Sequence, residues 1–360
     1  MADTPQPLHA HILSTAGLPQ AESPLFGIVP AEVRSLIFAL ALADHPDPSP
    51  DKHYGAQTCY SRPAYFAPRK SDSRLLRTCR AIYRETWFMP FLLREQTHWL
   101  GNQERAPPEY IVHRQRPALR DSLEQICQQQ ATEEVEIEAL RVFAQMWALE
   151  NGSLRALLET PRLRPRTLTL TIRHTDWWFW EVEQPLRFEG NWLRDVGRAM
   201  PSSLTMVRIE LESLEQKKEQ VDAIAKQMSE RWFFKRGDGV ALYPDTSGQA
   251  IEIDRWTGSS TWHNHTWTRD EARPGEIDYY IASVVFQLAP SVEKRGGTIS
   301  EAATSAAESN LFTSKLRLQW VDAESRSYHS SDGDEENGAP WGPEWDESED
   351  GEWDSEEAGE

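Results

Sequence analysis

The chain has 360 residues, long enough for one large domain or two ordinary ones with a buried core. Its 39% hydrophobic and 26% charged residues fit a soluble globular protein with some disorder attached. Of the net charge of −19, Asp332–Glu360 supply 14 carboxylates with no Lys or Arg, and 38 basic against 43 acidic residues leave the rest at −5, which argues against nucleic-acid binding.

Residues 1–22 mix Pro, His, Ala and Gln without periodicity and are expected to be disordered. Structure begins near Leu25. Pro30 suits the first turn of a helix, and Glu32 complements the positive helix end. Val33, Leu36, Ile37 and Leu40 then recur at i, i+3, i+4 and i+7 and make one apolar face. The run His45-Pro46-Asp47-Pro48-Ser49-Pro50 ends that helix. Residues 51–70 form a Tyr/Pro-rich loop or short hairpin. A second helix follows Ser71-Asp72, with Leu75, Leu76, Cys79, Ile82, Tyr83 and Trp87 on its buried side, and Pro90 marks its end. Residues 101–118 are loop-like. A third helix is expected from Glu134 to Leu149, striped by Val135, Ala139, Leu140, Val142, Phe143, Met146 and Trp147, with Asn151-Gly152 as its stop.

The period then changes from 3.6 to 2. Leu168, Leu170 and Ile172 alternate with threonines, and Val207, Ile209 and Leu211 repeat the pattern after a short helix at 191–200. A long helix spans about Leu214 to Trp232, with Val221, Ile224, Ala225 and Met228 inward. Strand-like runs follow at 240–243, 250–256 and 277–288. Residues 291–310 read as a flexible linker, 311–321 as a final strand returning to the sheet, and 322–360 as a disordered acidic tail. Helices first and strands later, without regular βα alternation, predict an α+β fold of five to seven mostly antiparallel strands. The division is a helical segment at 23–110 and an α+β domain at 111–290.

Two segments carry a family resemblance. Pro24-Leu25-Phe26 through Pro30-Ala31-Glu32-Val33 to Leu36-Ile37-Phe38 is similar to the opening helix of F-box domains, a hydrophobic-Pro-x-Glu-hydrophobic entry into an amphipathic helix. Leu75-Leu76-Arg77-Thr78-Cys79-Arg80-Ala81-Ile82-Tyr83 resembles the later F-box helix, where a Cys-Arg pair precedes an aromatic. Over residues 23–110, and more weakly to about 290, the chain resembles uncharacterised fungal F-box-like proteins, which carry both elements around a Tyr/Pro-rich insertion; the tail has no part in the resemblance. The resemblance implies docking on the Skp adaptor of a cullin-type ubiquitin ligase through Pro30, Glu32, Val33, Leu36, Ile37, Leu76, Cys79 and Tyr83. The insertion from Pro46 to Asp72 interrupts the compact F-box pattern, so packing of both helices on the body is the competing reading.

No phosphate-binding, dinucleotide, metalloprotease or nucleophile-elbow motif is present. The cluster from His174 to Glu181 contains Trp177, Trp178 and Trp180, which suit either a core or a surface that stacks on a sugar ring or peptide; alternation favours the core. His263 and His265, two apart on a strand, would point the same way, but no third metal ligand has suggestive spacing. Cys59, Cys79 and Cys127 match neither a zinc pattern nor a disulfide framework. They read as reduced thiols of the cytoplasm or nucleus, Cys79 and Cys127 on apolar helix faces. The tail sets Trp341, Trp345 and Trp353 among carboxylates, which suits secondary contacts with a partner groove, and Ser331 precedes an acidic run like that of an acidophilic kinase site. The N-terminus lacks the layout of a secretory signal, and no run of apolar residues is long enough to span a membrane. The expectation is a non-enzymatic protein-interaction module without cofactor, catalytic residues or metal, whose specific form is a ubiquitin-ligase substrate receptor. Alternatives are an intracellular ligand- or carbohydrate-binding protein using the Trp cluster, and a hydrolase with no local motif.

Overall fold

The computed structural model describes residues 8–182, 184–247, 251–309 and 317–319. The N-terminal part is helical: α1 (Leu8–Ser14), α2 (Pro24–Gly27), α3 (Ala31–Leu42), α4 (Arg80–Thr86) and α5 (Met89–Leu93). Between α3 and α4 the chain makes an excursion, closed at its base where β1 (Asp44–Pro46) pairs antiparallel with β2 (Arg69–Ser71). Pro30 stands at the N-cap of α3 rather than in its first turn, and Pro90 opens α5 rather than ending a helix. Cys79 is likewise the extended N-cap of α4, with its sulfur accepting from Ile82 N at 3.5 Å, not a residue of a helix face. The expected disorder of residues 1–22 is replaced, from Leu8 on, by ordered chain. His9 Nδ1 meets Tyr83 Oη at 2.8 Å, and Arg84 donates to Ile12 O, so α1 packs on α4.

The body then alternates strand and helix: β3 (Gln96–Leu100), α6 (Val112–Gln130), β4 (Val135–Ala144), α7 (Met146–Glu150), α8 (Ser153–Leu158), β5 (Leu163–Ile172), β6 (Arg187–Glu189), α9 (Leu193–Ala199), β7 (Met206–Leu214) and α10 (Lys218–Arg231). It finishes with β8 (Phe234–Lys235), β9 (Ala241–Pro244), β10 (Ile251–Ser259), β11 (Thr261–Trp262), β12 (His265–Thr266), β13 (Glu276–Leu288), α11 (Ala289–Lys294), α12 (Glu301–Glu308) and β14 (Arg317–Gln319).

The fold class is α+β. One sheet runs β3-β4-β5-β7-β13-β9-β8, with β10 also paired to β13. Pairs β3–β4, β4–β5 and β5–β7 are parallel, and every other pair is antiparallel. The parallel block needs crossover connections, which α6, the pair α7 and α8, and α9 supply. Alternation of strand and helix over residues 96–231 is therefore real, contrary to the sequence reading. It was hidden because β4 mimics a helix and the first turns of α6 read as a loop.

The principal core lies between the sheet and the helices, joining Leu119, Leu123 and Ile126 of α6, Leu154 and Leu157 of α8, Val196 of α9 and Ile224 of α10 to Ile137, Leu170, Ile209 and Val284 of the strands. A second cluster, Phe38, Leu42 and Ile82, sits among the N-terminal helices. The expected linker at 291–310 instead holds most of α11 and all of α12, where Ala303 and Ala307 pack on Phe233 and Tyr243. The final strand exists, but β14 pairs with β6 in a separate two-stranded sheet. Trp341, Trp345 and Trp353 lie outside the described residues, as does Ser331.

Candidate interaction site

Along α3, burial separates two apolar sides. Phe38 and Leu42, four apart, enter the N-terminal cluster and are buried. Val33, Leu36, Ile37 and Leu40 form the opposite side and are 45%, 66%, 44% and 82% exposed. Ile28, in the turn before α3, is also exposed. Together they make a contiguous exposed aliphatic stripe. Arg34 flanks it, paired with Glu85 of α4 at 3.1 Å and lying 5.1 Å from the Phe26 ring centroid. That pair fixes α3 on α4.

The eight residues singled out in the two helices therefore do not form one face. Val33, Leu36 and Ile37 point outward with Glu32 and Pro30. Leu76 and Cys79 are half-buried against the inner cluster. Tyr83 is engaged by His9 of α1. Leu40 and Ile28 extend the outward group, and the i+7 spacing of Leu40 from Val33 was the signal for it.

The insertion between β1 and β2 leaves that stripe open because it is anchored on the sheet. Tyr65 packs on Trp99 and Phe143, ring centroids 5.3 and 5.4 Å away. Arg62 forms a buried ion pair with Glu212 of β7 and lies 5.7 Å from the Phe143 ring centroid. Cys59 Sγ stands 3.3 Å from His263 Nε2. Burial pulls Arg62 down to about 10 despite the attraction of Glu210, so it stays charged at neutral pH.

Around this anchor lies a polar network at the carboxyl ends of β5 and β7, a place where α/β sheets often carry sites. Arg173 clamps Asp176 with two hydrogen bonds of 2.6 and 3.0 Å and donates to Arg105 O at 2.9 Å. His174 Nε2 meets Asp270 Oδ2 at 3.4 Å, and Arg269 reaches the same carboxylate at 2.9 Å. Burial lowers the His174 pKa in spite of Asp270, so the ring is neutral. Glu212 Oε2 accepts from Trp256 Nε1 at 2.9 Å, and its backbone carbonyl accepts from Trp177 Nε1 at 2.8 Å. The cavity among these groups measures about 30 Å³, room for a water or two. Asp176, Asp270 and Glu212 each already face a cation or a His, an arrangement that holds a joint together. No local spacing announces it, since Arg62 and Glu212 are 150 positions apart in sequence.

Trp177 and Trp180 are buried, and Trp178 is half-buried with its Nε1 donating to Glu150 at 2.7 Å. The recognition surface considered for these three residues is not formed. The reason is local: β5 stops at Ile172, and the chain turns inward through 174–176 instead of continuing as an exposed strand. His263 sits with positive φ in the turn between β11 and β12 while His265 lies on β12, so the pair does not converge. Among the described residues no three His, Cys, Asp or Glu side chains gather as a metal site would require. Cys59, Cys79 and Cys127 are free, and Cys127 is buried on the apolar side of α6 as expected. No helix among the described residues is long and apolar enough to cross a membrane. No family model, curated protein or solved structure matches the chain.

Proposed function

We propose that this protein is a non-enzymatic interaction module whose docking element is the outward face of α3, and that it serves as an F-box-like substrate receptor on the Skp adaptor of a cullin-type ubiquitin ligase. One observation carries the reading. The insertion that interrupts the F-box-like pattern folds back onto β7 and the Trp99–Phe143 cluster, while Val33, Leu36, Ile37 and Leu40 stay at the surface. Anchors at i, i+3, i+4 and i+7 suit a helix laid into an apolar groove of a partner. The α+β body then has the role of substrate recognition, and the acidic tail that of a secondary contact.

The test is co-purification of the Skp adaptor with the tagged full-length chain, native or carrying Leu36→Asp and Leu40→Asp. Adaptor recovered by the native chain and lost from the variant, with an unchanged melting midpoint, is the expected result. Absence of adaptor from the native preparation would remove the ligase reading. Equal recovery by both chains would move the contact away from α3.

A further inference from the structure

Helix α6 carries the run His113-Arg114-Gln115-Arg116-Pro117-Ala118-Leu119-Arg120. Leu119 and Leu123 turn into the principal core. His113, Arg116, Pro117 and Arg120, spaced i, i+3, i+4 and i+7, line instead a groove shared with α8 and the end of β3. Its volume is about 630 Å³, inside the span of roughly 300–1,000 Å³ typical of small-molecule sites. The apolar lining comes from Leu100, Val112, Ala156 and Leu157 together with the rings of Trp99 and Tyr110.

Two independent features point to a ligand and to its chemistry. The rim is positive on a chain whose net charge is −19. Arg116 has no carboxylate partner among the described residues, and Arg120 has only its exposed neighbour Asp121, at 3.3 Å. His98, in the same wall, is held neutral because burial pushes it down to about 4, so the positive charge sits at the mouth and not on the floor. The second feature is in the wall. Trp99 Nε1 and Thr160 Oγ1 are both buried and have no hydrogen-bond partner among the described residues, whereas buried polar groups are nearly always paired.

We propose that this groove binds an amphipathic organic anion, with an apolar or aromatic body against Leu157 and Trp99 and an acidic group at the Arg116–Arg120 rim. The site is separate from the α3 face. A polar atom at the inner end of the ligand supplies the partner that Trp99 Nε1 or Thr160 Oγ1 lacks, once the wall relaxes around it. Charge-assisted bonds to the two guanidinium groups orient the acid outward.

The test titrates the full-length chain with anilinonaphthalene sulfonate and, separately, with phenylnaphthylamine, the same ring system without the sulfonate. Saturable one-to-one binding of the sulfonate is expected. Arg116→Ala/Arg120→Ala should weaken the sulfonate about tenfold and the uncharged probe less than about twofold. Ala156→Trp, which fills the groove, should remove both signals, and Leu36→Asp should change neither. Failure of the native chain to bind either probe saturably overturns the proposal. So does unchanged sulfonate affinity in the arginine variant, or loss of the signal in Leu36→Asp. Arg116 and Arg120 are exposed, so that variant decides the matter even if Ala156→Trp does not fold, with circular dichroism and the melting midpoint as the check.

Discussion

Leu36 and Phe38 are two positions apart on α3 and face opposite ways, so identical chemistry has different consequences. Leu36 is at the surface, and Leu36→Asp should shift stability by less than about 0.5 kcal/mol. Phe38 is buried among Leu42 and Ile82, and Phe38→Ala should cost about 3–5 kcal/mol. Denaturant unfolding of the two variants checks both numbers; a large loss in Leu36→Asp would mean that the stripe is packed after all. His98 sets a pH dependence. Its folded value is about 4 against an ordinary 6.5. The unfolded chain takes up a proton as pH falls through about 6.5, while the folded protein does not until near 4. Stability is therefore greatest above that window and declines across it, with this residue contributing about 2 kcal/mol of loss between pH 7 and 5. In His98→Gln the decline measured by urea unfolding should shrink by that amount. A variant that keeps the full slope would assign it elsewhere, to His174 first, whose pKa is lowered in the same direction.

At the level of elements, the anchoring of the insertion is the joint on which the open α3 face depends. Removing one member of a buried ion pair strands the other, so Arg62→Ala should cost about 3–5 kcal/mol, while Arg62→Met with Glu212→Leu should cost far less than the two single changes added together. Additive losses would make the pair incidental. The elements differ in how much the sequence revealed of them. Strands β5 and β7 were legible because one face of each is apolar and the period is two, and α10 because Val221, Ile224, Ala225 and Met228 keep one stripe. Strand β4 misled because its last residues, Val142, Phe143 and Ala144, are all buried. There the alternation set by exposed Glu136 and Glu138 dissolves, and spacings of four and seven appear by chance. Helix α6 shows in the sequence only as an apolar helix face around Cys127 and its extent is missed, because its stripe, Leu119, Leu123, Ile126 and Cys127, is narrow, and Pro117 and a run of glutamines surround it. The apolar stripe of α3 is legible as a stripe, but the sequence leaves two readings of whether it faces outward or packs on the body. Periodicity shows that a helix has two faces, but which of them meets the protein depends on partners distant in sequence, here Ile82 and Met89.

Among the described residues, apolar burial falls into one principal core and three smaller clusters, and the principal core and the N-terminal cluster differ greatly in size. The principal one reaches from Leu119 to Leu318, whereas the N-terminal one has Phe38, Leu42 and Ile82 at its centre. They are joined through α5, which turns Phe91 and Leu92 toward the large core and Met89 and Leu93 toward the small one. A small core stabilises its helices less, so α3 and α4 belong to a unit able to open while the sheet stays closed. Hydrogen exchange at neutral pH should find their amides exchanging through an opening of lower free energy than those of β4, β5 and β7. A partner that docks on the α3 stripe binds only the closed form of that unit. It should raise protection in α3 and α4 by a margin that grows with partner concentration, and leave the sheet amides unchanged. Phe91→Ala, which loosens the joint, should widen the gap between the two units; equal protection of α3 and β5 in the native chain would show that the two cores open as one.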